Sequence, residues 1–181
     1  YSPANAKDHA DIQYSVANGV TAVDYVVKTD KTNQYDLMLS NRASDQESSD
    51  MVTNSPNPYD GVQITFNHAL SAIKFAVNTD IDYSVDNYTI TLKSLTVKNA
   101  FSKGDLTQFA GIGSPDVNLS SLWSNQEDEA AYEVYKVTST PAVLSTASTT
   151  FSDEDDADLV LLPQDLEHSS PGKNVVVEVV Y

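Results

Sequence analysis

The sequence predicts an all-β fold, a two-sheet β-sandwich of roughly seven to ten strands. Three observations carry that expectation. Apolar residues alternate with polar ones in short runs, as in Tyr132 to Thr138, the two-residue period of half-buried strands. Gly, Pro, Asn and Asp punctuate those runs at short, fairly regular intervals. Two neighbouring runs, Val62 to Val77 and Tyr88 to Val97, each switch the phase of their apolar residues partway. Strands that bend at matched places are what a curled pair of sheets requires.

Taken in order, the chain opens with a Pro turn and a short strand at Ile12 to Val16. Asn18-Gly19 is a turn signal, and the β-branched run Val20 to Lys28 follows it. A polar connection at Thr29 to Gln34 leads to a compact strand, Tyr35 to Ser40. Asn41 to Asp60, rich in Ser, Asp, Asn and Pro, has no apolar period and reads as a surface loop.

Val62 to Val77 is the run on which the rest is organised. Val62, Ile64 and Phe66 share one face, whereas Ile73, Phe75 and Val77 continue on odd numbers. A strand changes its buried face only through an extra residue, so a bulge or sharp bend belongs near Leu70 to Ala72. The alternative is two strands with a tight turn at Ala69-Leu70-Ser71, where no Gly, Pro, Asn or Asp lies to make it. His68 shares the phase of Phe66 and is therefore expected to point inward, hydrogen-bonded to backbone near the bulge.

The next run has Tyr88, Ile90 and Leu92 on one phase and Leu95 and Val97 on the other, and Lys103-Gly104-Asp105 is expected to turn the chain. Leu119, Leu122 and Trp123 stand at helical spacing in a looser stretch, with Trp123 read as a core anchor. Tyr132 to Thr138 is a strand with one polar face, and Thr138 to Phe151 an exposed Ser/Thr-rich hairpin. Leu159 to Leu162 reads as a strand buried on both faces and ended by Pro163. After a turn at Ser169 to Gly172, Val175 to Val180 is a final, valine-rich strand.

Several of these blocks carry a family resemblance. Phe66-Asn67-His68-Ala69-Leu70-Ser71, with Ile73 and Phe75, resembles the F-x-H-A-L-S-x-I-x-F signature of the fimbrillin-like surface proteins of Bacteroidetes. Tyr88 to Thr107 is similar to that family's next hairpin, Asp158 to Gln164 to its "apolar run then Pro-Gln" strand, and Asn174 to Tyr181 to the strand after it. The resemblance spans about Gln34 to Tyr181. It implies a transthyretin-like sandwich and a structural or adhesive role: a pilus subunit, anchor or tip accessory, or a related surface lipoprotein at the outer membrane. It also implies assembly with other fimbrial subunits by β-strand complementation. Residues 1–181 are then one domain, the N-terminal sandwich and an internal slice of a longer two-domain protein, because Tyr181 falls inside an apolar strand. Fimbrillins that polymerise are matured by an Arg-specific protease. Arg42, the sole arginine, is nevertheless read as an ordinary surface residue, with Arg42-Ala43 as a cleavage site the alternative.

Composition narrows the function classes. A chain of 181 residues can bury about 70% of its unfolded surface without staples. It has no cysteine, which excludes disulfides, zinc–thiolate sites and thiol catalysis. Its 26 acidic and 10 basic residues give a formal charge of −16, which repels nucleic-acid backbones and anionic headgroups. No stretch approaches the ~20 apolar residues of a membrane helix. His9, His68 and His168 are scattered without metal-ligand spacing, Ser71 is no partner for His68, and there is no nucleophile elbow or phosphate loop. No catalytic, cofactor-binding or metal residue is predicted, and the chain is read as a non-enzyme.

Two acidic stretches bear on that reading. Asp80, Asp82, Ser84 and Asp86 match the early spacing of a calcium loop, but Val85 replaces its glycine and no closing Glu follows. Asp153 to Asp158 is a dense charge run. Both are read as solvated turns. The rival function is a surface glycan-binding module, which needs exposed aromatics beside a groove; ten tyrosines are its only supply.

Overall fold

The computed structural model describes residues 12–15, 19–40, 66–82, 85, 87–108, 119–151, 158–167 and 172–181. Every ladder among them is antiparallel, and one five-stranded sheet and four two-stranded ladders build an all-β sandwich. The main sheet contains β1 (Ile12–Ser15), β2 (Gly19–Val26), β8 (Ser94–Gln108), β9 (Trp123–Lys136) and β13 (Val176–Val180). Short two-stranded ladders face its core side. They are formed by β3 (Met38–Ser40) with β4 (Phe66–His68), and by β5 (Ser71–Ile73) with β12 (Leu159–Leu161). The others join β6 (Phe75–Val77) to β11 (Thr149–Phe151), and β7 (Thr91–Leu92) to β10 (Ala142–Val143).

Thirteen strand segments stand among the described residues, more than the seven to ten expected. Bends split runs that read as single strands into pieces with different partners. The run around Ala69 is the main case. It breaks at Ala69-Leu70 without reversing, so that β4, β5 and β6 pair in turn with β3, β12 and β11. The kinked strand expected there is observed; a hairpin is not. Ala69 and Leu70 point into the core, while Ile73, Phe75 and Val77 pack against it as half-buried residues. The bend is held from two sides: the Ala69 N–H donates to the Leu37 carbonyl at 2.7 Å and the Trp123 indole N–H donates to the Ala69 carbonyl at 2.8 Å. Val62 to Thr65 lie outside the described residues.

The predicted phase of this run is corrected in β4. Phe66 and His68 face outward, and the residue between them, Asn67, is half-buried opposite the buried Leu39 of β3. The bend at Ala69-Leu70, not the alternation before it, sets which side chains enter the core.

β8 is the spine. One flank carries β9 along its length; the other carries β13 beside its first half and β2 beside its second. Leu95 and Val97 are buried on odd positions, then Ala100 and Leu106 on even ones. The switch occurs at Asn99, which has φ 62°, a left-handed conformation Asn tolerates better than most residues. The earlier bend, between Leu92 and Leu95, is the one predicted; Leu92 is fully buried and Ile90 packs on the core, but Tyr88 is exposed.

Lys103-Gly104-Asp105 does not turn the chain: all three lie inside β8, and the hairpin expected over Tyr88 to Thr107 is one long strand preceded by a break at Lys93. Gly104 is buried there: a Cβ on it would stand in ordinary contact with the Ser124 carbonyl oxygen at 3.4 Å and Leu162 at 3.5 Å. Three acids and a lysine stitch the neighbouring bulges. Lys103 pairs with Asp24 at 2.9 Å and Glu127 at 2.7 Å, while Asp105 accepts from the Asp24 N–H and the Asn125 amide. Asp24 and Asn125 have positive φ where β2 and β9 shift register against β8, and Asp128 has positive φ within β9.

β1 pairs antiparallel with β2, with Ser15 opposite Gly19, and Asn18 of the predicted turn lies outside the described residues. Leu119–Leu122 is a 3₁₀ turn, and Trp123 is buried as expected, at the root of β9. In β9, Tyr132 and Val134 face the core and Glu133 faces solvent. Thr138 to Phe151 is not a hairpin, because β10 and β11 pair with β7 and β6 rather than with each other. Leu159, Leu161 and Leu162 are buried and Val160 half-buried, close to the strand predicted there.

Side-chain amides complete the backbone pairing where strands stop short. On the flank of β8, β2 ends opposite Lys103 and β13 begins opposite Lys98. Gln164 fills the gap: its Oε1 accepts from the Phe101 N–H at 2.8 Å and its Nε2 donates to the Phe101 carbonyl at 3.2 Å. Gln34 does the same for β12, accepting from the Val160 N–H at 2.7 Å and donating to its carbonyl at 2.9 Å. An amide side chain carries the same donor and acceptor as a peptide, so each Gln acts as one residue of a missing strand.

Candidate interaction edge

The residues that distinguish this domain lie on two of the outer strands of the main sheet, β13 and β9. β13 pairs with β8 in unbroken register, Val176 opposite Lys98 through Val180 opposite Ser94. Residues directly opposite in an antiparallel pair share a face. Val177 and Val179 therefore lie on the core side, level with the buried Val97 and Leu95. Both valines are nonetheless 49% and 41% exposed. β13 overhangs the second layer, and its core face is left as an apolar ledge. On the opposite face Glu178 pairs with Lys98 at 2.6 Å. Among the described residues no strand pairs with the outer edge of β13.

The edge of β9 is built differently. Its pairing with β8 shifts register three times, and Asn125 and Asp128 twist it through positive φ. Glu127, Glu129, Glu133 and Lys136 line it, engaged with Lys103, Lys173 and each other. Bulges and charges of this kind are how proteins blunt an edge against unwanted pairing. The Lys103 ammonium is held more basic than usual, first by Glu127 and then by Asp24. The Asp105 carboxyl is held below its ordinary range, chiefly by the Asn125 amide and the Asp24 N–H. Both shifts follow from the contacts that tie Lys103 and Asp105 to Asp24, Asn125 and Glu127.

His68 is a correction to the sequence-based expectation: its ring is exposed and meets Asp36 at 2.8 Å, not a backbone group, because β4 turns that face outward. Asp80 and Asp82 are exposed, whereas Ser84 and Asp86 lie outside the described residues. Asp158 stands 3.4 Å from Lys74; the rest of the acidic run, residues 153–157, lies outside the described residues, as do Arg42, His9 and His168. Among the described residues no group of three or more His, Asp or Glu is disposed to hold a metal ion. Burial pushes Tyr132 up to about 12, and Tyr25 likewise through burial and then the charge of Asp36, so both hydroxyls stay protonated. The strand-completing roles of Gln34 and Gln164 do not follow from the sequence pattern. The only available signal is the Pro-Gln that closes the apolar run Leu159 to Leu162.

These features define an antiparallel β-sandwich domain with one guarded sheet edge and one open, valine-rich edge. The chain belongs to the fimbrillin-like family, whose model matches residues 1–180. That is a family of structural surface proteins, which makes this chain a fimbrial or surface component. No helix among the described residues is long and apolar enough to cross a membrane. The comparison with curated proteins and the comparison with solved structures each found no match.

Proposed function

We propose that this chain is a structural or adhesive subunit of a bacterial surface fimbria, joined to its neighbours by β-strand complementation along β13. The observation that carries this reading is the exposed core face of that strand. A neighbour's strand laid against β13 would satisfy its outward N–H and C=O groups and cover Val177 and Val179. Completing the burial of each valine is worth about 1 kcal/mol, and the added ladder bonds contribute directionality and register. Family membership supports the same role, and we propose with it that the subunit is exported to the outer membrane, is lipid-anchored in its precursor, and carries this domain as the N-terminal one of two.

The test is a pair of substitutions on that face, Val177→Lys with Val179→Lys. Both side chains are already half solvent-exposed, so the monomer should lose less than about 1 kcal/mol of stability. Polymer or complex formation, followed by electron microscopy and sedimentation, should drop to background. Unimpaired assembly by the double variant would remove β13 from the account.

A further inference from the structure

β13 runs Val176-Val177-Glu178-Val179-Val180, the same in both directions. Which of its peptide groups face outward follows from the bonds at its two ends. The Val180 carbonyl accepts at 2.7 Å from the N–H of Lys93, the residue that leads into β8. Peptide groups of successive residues in an antiparallel strand turn to opposite sides. Those of Glu178 therefore also serve β8, and those of Val177 and Val179 point away from it. The neighbouring groups beyond these two are engaged. The Val175 N–H donates to the Leu166 carbonyl at 2.9 Å, and the Tyr181 carbonyl accepts from the Lys93 ammonium at 3.2 Å. Val177 and Val179 are thus the residues of β13 whose peptide groups an incoming strand can take.

We propose that this edge is self-complementary: in the isolated subunit, β13 pairs antiparallel with β13 of a second copy about a two-fold axis at Glu178. The inference rests on reading β13 as the assembly edge, and it adds the regulation of that edge, which the pair occupies until a neighbour's strand displaces it. A two-fold axis normal to the sheet keeps each face on its own side, so the register can change only in steps of two residues. Centred on Glu178, Val176 stands opposite Val180 of the second copy and Val177 opposite its Val179, using the whole five-residue strand. Either shifted register must draw on the Val175 N–H or the Tyr181 carbonyl, both already bonded. The Val177–Val179 pairs exchange both backbone bonds. Every valine then meets a valine on its own face, which covers four side chains that are each at least 40% exposed in the single chain.

The opposing terms make this pair weak. Glu178 meets its own copy, and like charges directly opposite disfavour pairing. Each carboxylate is held at 2.6 Å by Lys98, so the row across the two sheets reads Lys, Glu, Glu, Lys and is neutral as a whole. The net charge of −16 adds a repulsion between copies that physiological salt screens beyond about 8 Å. Two strands of this length also fall short of the roughly 1,600 Å² of a standard stable interface. An isologous pair closes at two copies, and a weak one yields to a strand that offers more contact.

The experiment begins with the unmodified chain. Sedimentation across a concentration series should show a monomer–dimer equilibrium that stops at two and tightens as salt rises, and hydrogen exchange at Val177 and Val179 should slow with concentration. The chain has no cysteine, so introduced thiols report the register. Glu178→Cys should form a disulfide-linked dimer on mild oxidation, because opposed Cα atoms about 4.5 Å apart lie within disulfide reach. Val176→Cys and Val180→Cys should each stay unlinked alone and link when mixed. Glu178→Gln should tighten the dimer about two- to fivefold. A chain that stays monomeric, polymers beyond two, disulfides that ignore this pattern, or association that weakens with salt would overturn the resting pair. A monomeric chain whose assembly is still lost in the Val177→Lys, Val179→Lys variant overturns the pair and leaves the subunit reading standing. A dimer of this register with unimpaired assembly by that variant overturns the subunit reading, and the regulation with it.

Discussion

β9 and β13 flank the same spine on opposite sides, and they manage the hazard of an open sheet edge in opposite ways. β9 is long, shifts register three times against β8, and shows solvent a series of glutamates. β13 is short, keeps perfect register, and shows solvent four valines, two of them on the core side. Strands that must stay unpaired carry bulges and charges; strands that expect company do not. The same molecule supplies both the treated edge and its untreated counterpart, so the valine edge is not a general property of this sheet.

The largest expected effect lies at the root of the guarded edge. Trp123 is buried, packs with its ring centre 5.5 Å from that of Tyr25 and holds the bend at Ala69 through its indole N–H. Trp123→Ala should cost about 3–5 kcal/mol of unfolding free energy by denaturant titration, and should loosen β9 and the Ala69 kink together. A loss under about 1 kcal/mol would mean that the two layers do not lean on this contact.

On the open side, Gln164→Ala removes the amide that bridges β2 and β13. It leaves the Phe101 peptide without these two bonds, at a cost of about 1–3 kcal/mol. Hydrogen exchange should quicken at Phe101 and at the start of β13, while β9 keeps its protection. Exchange that quickens along β9 instead would erase the distinction between the two flanks.

The smallest effect is electrostatic. Asp105 is held below the ordinary carboxyl range in the folded chain by Asn125 and Asp24. Its contribution is therefore fully present above the unfolded value near pH ~3.9 and is lost as pH falls through the lower folded value. The side chain is well solvated, so screening limits this to about 0.5 kcal/mol. Asp105→Asn should flatten the acid limb of the stability curve below pH ~4 by that amount, and an unchanged acid limb would remove Asp105 from the stitching of the bulges.

Much of this architecture is legible in the sequence, and what is not has identifiable causes. Alternation locates Leu95, Val97, Tyr132 and Val134 correctly, because the two-residue period of burial holds within each of these short runs. It fails at His68 and Phe66, where pairing with β3 reaches only three residues and the core contact is made by Ala69 and Leu70 after the bend. Turn chemistry misleads at Lys103-Gly104-Asp105. The glycine there lies buried inside a continuous strand rather than at a reversal, and sequence alone does not distinguish the two. The open edge is visible only as a run of valines; that its core face overhangs the second layer depends on where the short ladders stop.

Backbone hydrogen exchange of β13 and β9, compared between the isolated subunit and its assembled form, addresses the central claim most directly. Amides of Val176 to Val180 should gain protection on assembly, and those of Glu127 to Lys136 should not. Protection that appears along β9 while β13 exchanges as before would contradict it.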